Sequence, residues 1–418
     1  MQPSVPPEIL RQIIRIATDI PGMLDTSSPD PFDTSSCGQA LEMAAMATET
    51  FALKRNLSRV SRLFYSVTEE FMYEYIVLYD LDQLFPLLRS FDTLLKSTEH
   101  KILRGERCKR LEISFGQRSP RRMLAEMDPQ LLWVYHGIGK LFLTCPNLQV
   151  LMIHFGSFIT RTNVGVSESL WMHIAARLKS LRVLSVSSIL IYEGDVLRLL
   201  SALKSLERLR ITVTNWKDTS VPPPIRTVRL FRPDDLAQCL FALQSTHWPT
   251  DMLDSVTLPN LHALELAGGH CDLLAHLELP ALRMVTIPSG PGLDEKYLRA
   301  LCKWKSQITR LVISSEGQYP TMWEALQMFP MVRDLTAERF DPYFDVVYHP
   351  LLQVMRFKTL HAHASTSLKR LVDGGKLNGL REVVLMEVYQ STIDEHMATL
   401  VEQFSKCGVQ LRSNHPDK

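Results

Sequence analysis

The sequence predicts an α/β protein in which a small N-terminal helical domain precedes a long array of alternating helices and short parallel strands. Two patterns carry this expectation. One is an apolar stripe at three- and four-residue spacing near the N-terminus. The other is a triplet of apolar residues at positions n, n+3 and n+5 that recurs from residue 148 to residue 385.

The first stretch, VPPEILRQIIRIA, places Pro6 and Pro7 before Ile9, Leu10, Ile13, Ile14 and Ala17. Proline fits a first helical turn because it has no N–H to lose there. Residues 18 to 39 change character, with Pro21, Gly22, Pro29, Pro31 and Gly38 among Ser, Thr and Asp, and read as a solvated loop. Helical spacing returns with Leu53, Leu57, Val60, Phe64 and Val67. The segment 1–80 is therefore expected to be helical, with an inserted loop over about 18–52.

These residues also carry a resemblance. VPPEIL resembles the opening of an F-box, commonly Leu-Pro-x-Glu-Ile/Leu-Leu, with Val5 in place of leucine and Pro6, Glu8, Ile9 and Leu10 matching. LSRVSRLFYSVTEEFMYEYIVL resembles the F-box tail, with Val60 followed by Phe64 and then by Met72 and Tyr73. Phe64 stands where tryptophan is usual, and the inserted residues split a normally compact motif, as in many fungal F-box proteins. The resemblance implies that Pro6, Ile9, Leu10, Ile13, Val60 and Phe64 bury against a Skp-type adaptor, which in turn holds a cullin. Physically this is recognition of a helix face through anchors at i, i+3 and i+4.

Residues 81–147 read as a helical and basic connector that ends in an entry copy of the triplet, Cys108, Leu111 and Ile113. Lys101, Arg104, Arg107, Lys109, Arg110, Arg118, Arg121 and Arg122 face only Glu106 and Glu112 in this stretch. Without interleaved aromatics the run is expected to be a solvated linker and helix face, not a phosphate site.

The array spans 148–412. Strong copies are Leu148, Leu151, Ile153; Leu181, Leu184, Val186; Leu206, Leu209, Ile211; Ile225, Val228, Leu230; Leu261, Leu264, Leu266; Leu282, Val285, Ile287; and Ile308, Leu311, Ile313. Weaker ones are Val332, Leu335, Ala337; Leu352, Met355, Phe357; and Leu380, Val383, Leu385. The mean step is about 26 residues, inside the range of leucine-rich repeats. Each copy should form a strand that buries n+3 and n+5, because successive side chains alternate faces. Segments such as GDVLRLLSALKS and EKYLRALCKWKS should supply helices. The pattern resembles the degenerate leucine-rich-repeat solenoid that follows many F-boxes. Insertions at 155–170, 214–224, 245–258 and 338–350 read as loops.

On such an array n+2, n+4 and n+6 face out of the inner wall. They include Arg208, Arg210, Arg229, Arg310 and Arg356, with Glu265 and Glu382 as opposing charges. Two readings stand side by side: a guanidinium fork pairs with carboxylate or phosphate, which fits an acidic or phosphorylated protein segment as target, or these are solvated charges that partly pair with Glu265.

Composition narrows the function. Lys plus Arg at 46 balance Asp plus Glu at 45, giving +1 overall, which offers no global ground for nucleic acid or a membrane surface. Seven cysteines without a CxxC pair read as reduced thiols of an intracellular protein, cytoplasmic or nuclear. No run approaches the roughly 18 apolar residues of a membrane span. GxSxG, GxxxxGK[ST], GxGxxG and HExxH are all missing from the sequence. GGHCDLLAH offers His270, Cys271 and His276, one ligand short of a structural zinc site. Asp25, Asp30 and Asp33 lack the spacing of an EF-hand. The six tryptophans are expected to fill cores or anchor loops.

No catalytic residue, metal or cofactor is therefore expected. The expected function is that of a non-enzymatic substrate-recognition subunit of a Skp-cullin-F-box ubiquitin ligase. The alternative is a leucine-rich-repeat scaffold whose degenerate F-box joins no ligase.

Overall fold

The computed structural model describes residues 6–20, 23–24, 37–79, 81–91, 103–115, 137–155, 164–187, 193–212, 255–267, 271–288, 295–314, 322–339, 348–359, 368, 370–385, 401–402 and 404–413. The protein is mixed α/β and divides into two compact units, Met1–Leu258 and Pro259–Lys418.

Three helices open the first unit: α1 (Pro7–Thr18), α2 (Cys37–Leu57) and α3 (Arg62–Met72). Proline occupies the first turn of α1. The Ser61 side chain caps α3 by accepting from the Phe64 amide at 3.2 Å. Leu10, Ile14, Val67 and Phe71 form the core between α1 and α3, with Leu57 and Phe64 packed against it. Arg11 fixes the pair from outside through two hydrogen bonds of 3.0 Å to the Glu70 carboxylate. The expected loop over 18–52 is shorter than the sequence suggests, because α2 is already helical at Cys37. Its sequence, rich in Ala, Glu, Leu and Met, has high intrinsic helix propensity without an apolar stripe to announce it.

Five strands that lie side by side follow in the same unit among the described residues: β1 (Tyr75–Leu78), β2 (Arg110–Phe115), β3 (Val150–Phe155), β4 (Val183–Ser187) and β5 (Arg208–Thr212). Each pairs in parallel with the next in chain order. Parallel neighbours need a crossover. Here the crossovers carry α4 (Leu84–Phe91), a helix over 137–144, α5 (Val164–Arg177) and α6 (Glu193–Ala202). The expected loop at 155–170 is thus partly helical. Leu111, Leu151, Leu184 and Leu209 align across the strands, as do Ile113, Ile153, Val186 and Ile211, and all eight are buried. These are the n+3 and n+5 positions. The strand β1 is an unannounced copy, with Tyr73, Ile76 and Leu78 at n, n+3 and n+5 and tyrosine where the others are smaller. At Gly105 a Cβ would lie 2.3 Å from the Thr144 carbonyl oxygen, so the turn before β2 can approach the end of helix 137–144 only with glycine.

Among the described residues of the second unit, seven strands lie side by side: β6 (Ala263–Ala267), β7 (Met284–Pro288), β8 (Arg310–Ser314), β9 (Asp334–Arg339), β10 (Val354–Thr359), β11 (Glu382–Leu385) and β12 (Gln410–Ser413). They too pair in parallel in chain order. Crossovers include α7 (Cys271–Ala275), α8 (Glu295–Leu301) and α9 (Met322–Met328). Leu264, Val285, Leu311, Leu335, Met355, Val383 and Leu411 form one buried row. The template misses β12 because Gly408, at φ 73°, makes a turn where n would be apolar. The copy Ile225, Val228, Leu230, the expected loop at 214–224 and residues 245–254 of the one at 245–258 lie outside the described residues; the end of the latter is instead a short strand, Val256–Thr257, with Val256 and Leu258 buried. Among the described residues no helix is long and apolar enough to cross a membrane.

Candidate docking and target surfaces

Helix α1 is apolar on two sides. Leu10 and Ile14 point into the helical core, whereas Ile9, Ile13 and Ile16 are 47%, 54% and 79% exposed. A soluble helix with one partner layer exposes its polar side. Three isoleucines at i, i+4 and i+7 on the open side instead mark a face left largely uncovered among the described residues. Val60 and Leu63, between and at the start of the next helices, are 63% and 40% exposed.

Of the six residues expected to meet an adaptor, the fold places Pro6, Ile9, Ile13 and Val60 at the surface. The other two need correction. Leu10 is buried, and Phe64 is half-buried against Leu10, Ile14, Val67 and Phe71, so both support the helices from within. Ile16 and Leu63 were not expected. The helical spacing that selects Ile9 and Ile13 extends to Ile16.

The helices are locked to the strands through Arg104, Lys109 and Arg110 of the basic connector, which are paired and not solvated; Lys101, Arg118, Arg121 and Arg122 lie outside the described residues. Arg104 pairs with Glu69, its Nε 2.9 Å from Oε1, and lies over the Tyr73 ring at 5.5 Å. Lys109 meets Glu74 at 2.7 Å. Lys54 is buried, and its ammonium donates to the Phe71 carbonyl at the C-terminal end of α3 at 3.0 Å, where free carbonyls favour a cation. Burial nonetheless pushes its pKa down.

Arg110 is the centre of this joint. It is 1% exposed, donates from Nη1 to the Met23 carbonyl at 3.0 Å, and reaches Glu112 from Nε at 2.8 Å and from Nη2 at 2.5 Å. It also lies over the Tyr75 ring at 5.5 Å. Around it Ile20, Met23, Ala47 and Tyr75 form one apolar cluster, and Val150, Met152 and Val183 form another that packs on Leu24. Val150 and Met152, at n+2 and n+4 of β3, and Val183, at n+2 of β4, are therefore buried with Leu24 of the N-terminal segment packed on them instead of forming an open wall. The aromatics that the basic run lacks locally come from Tyr65, Tyr73 and Tyr75, a strand and a helix away.

The expected target arginines divide. Arg208 and Arg210 are half-exposed on β5, and Arg229 lies outside the described residues. In the second unit Arg310 and Arg356 converge on Asp334, an acid at n+2 of a weak copy that the sequence reading passed over. Arg412 meets Glu382 at 3.2 Å. The inner charges of this unit are thus largely compensated within the sheet.

No protein-family model matches the chain, and neither does any curated protein.

Among the described residues no group of His, Cys, Asp and Glu is placed to hold a metal ion. His270 and the loop acids Asp25, Asp30 and Asp33 lie outside them. Cys108, Cys145, Cys302 and Cys407 are free thiols, the first two buried. Trp171 and Trp304 are buried and fill the interior.

Proposed function

We propose that this protein is the substrate-recognition subunit of a Skp-cullin-F-box ubiquitin ligase, with its N-terminal helices on a Skp-type adaptor and a leucine-rich-repeat solenoid holding the target. The observation that carries this reading is the open isoleucine face of α1, backed by its own core and pinned to an ordered stack of parallel strands. A face of that kind supplies apolar anchors at helical spacing to a partner groove. The strand stack, with one residue position repeated in register along each unit, supports the solenoid part of the reading. The transfer chemistry then lies in other subunits, and the chain contributes binding alone.

Insertion of α2 between the halves of the motif favours a second reading, in which the helices are a fixed cap of a scaffold that joins no ligase. Affinity capture of the full chain from cells, with mass spectrometry, separates the two. Wild type should recover a Skp-type adaptor and a cullin, and Ile9→Asp/Ile13→Asp should lose both and keep its other partners. Recovery of neither by the wild-type chain would favour the scaffold.

A further inference from the structure

In the second unit the parallel ladder begins one residue before the strands. Thr309 donates its amide to the Arg283 carbonyl at 2.9 Å, Arg333 to Thr309 at 2.8 Å, Gln353 to Arg333 at 2.8 Å and Arg381 to Gln353 at 2.8 Å. Arg283, Thr309, Arg333, Gln353 and Arg381 therefore form one rank, held in register by backbone, across the N-terminal ends of β7 to β11. The three arginines are exposed, and among the described residues none forms an ion pair. The equivalent position in the first unit is filled differently. There Lys109 pairs with Glu74 at 2.7 Å and Arg182 with Glu207 at 2.6 Å, so those charges serve the fold.

Alternate strands are roughly 9.5 Å apart, and an extended chain rises about 3.3 Å per residue. Three guanidinium groups at that interval match anionic groups at every third residue of an extended peptide. Each offers a fork of donors suited to carboxylate or phosphate. Thr309 and Gln353 add neutral hydrogen-bonding groups between them.

We propose that this rank binds an extended acidic segment of a protein partner, with carboxylates or phosphates at every third residue, lying across the strands. Nucleic acid fits less well, because the three arginines are separated by the neutral Thr309 and Gln353 and lie roughly 9.5 Å apart, which gives no continuous cationic track for a backbone with a phosphate at every nucleotide. The proposal rests on the reading of the repeat array as the part that holds the target, and it moves the contact from the inner row to the rim.

The test uses the full-length chain and fluorescent peptides of about twelve residues with glutamate or phosphoserine at every third position. Controls are a peptide with the same acids clustered at one end, one with lysine replacing each acid, and a single-stranded RNA of similar charge. Wild type should prefer the spaced acidic peptides, more weakly as salt rises. Arg283→Gln/Arg333→Gln/Arg381→Gln should lower that affinity about tenfold or more with an unchanged thermal melt, as expected of exposed residues. Equal binding by the triple variant, equal binding of the clustered peptide, or tighter binding of RNA would overturn the proposal. Adaptor capture on the same samples is an independent readout. Its failure beside intact, arginine-dependent peptide binding removes the ligase reading and leaves this surface standing.

Discussion

Arg110 shows how far a residue's role depends on partners distant in sequence. Its carbonyl partner, Met23, is 87 positions away, and the ring beneath it belongs to β1. A run of basic residues reads as solvated when only its own neighbours are counted. Tertiary pairing reverses that reading for Arg104, Lys109 and Arg110. Arg110→Met preserves most of the stem and removes the guanidinium, leaving half-buried Glu112 without its cation. Breaking a buried pair from one side typically costs about 3–5 kcal/mol. Denaturant unfolding should show a loss of that order; a variant as stable as wild type would refute the role of Arg110 as a pin. His349 gives a second test at this scale. It is buried, its Nε2 lies 3.3 Å from the Phe329 carbonyl, and burial pushes its pKa below the usual histidine value. Below about pH 6.5 the unfolded chain takes up a proton that the folded chain resists, so stability should fall as pH drops through that range. His349→Gln should flatten part of this dependence in thermal melts at pH 5 and pH 8.

Strands were the most legible elements, because burial of n+3 and n+5 repeats the same demand in every copy. Eleven triplets were read from the sequence, and all but Ile225, Val228 and Leu230 fall on described residues that are buried. The two end strands escaped for identifiable reasons: tyrosine occupies n before β1, and glycine occupies it before β12. The end of α2 was legible from the spacing of Leu53 and Leu57, whereas its start at Cys37 falls inside the expected loop, because propensity without periodicity is a weak signal there. The register makes a direct prediction. Leu209 and Leu264 sit in the aligned n+3 rows of the two units and are buried. A carboxylate at either position would have no partner and would cost several kcal/mol to desolvate. Leu209→Asp and Leu264→Asp should each unfold at markedly lower denaturant concentration, with hydrogen exchange accelerating first in the strands flanking the substitution. Unchanged protection would mean that the register is wrong.

At the scale of the whole molecule, the class and the order of elements were readable, whereas the candidate surfaces were readable only in part. Periodicity says which residues share a helix face but not which face the rest of the chain covers. That is why Leu10 and Phe64 were grouped with Ile9 and Ile13, although the core claims the first pair and solvent the second. Likewise, the inner arginines were visible as charges, but Asp334 between Arg310 and Arg356 is visible as their partner only once the strands are set side by side. The central claim is that the open face of α1 is built for a Skp-type adaptor, and co-expression of the full chain with that adaptor, followed by size-exclusion chromatography, tests it most directly. Wild type should elute as a one-to-one complex, whereas Ile9→Asp/Ile13→Asp should elute apart from the adaptor with its helical content intact. Separate elution of the wild-type chain and the adaptor would contradict the claim.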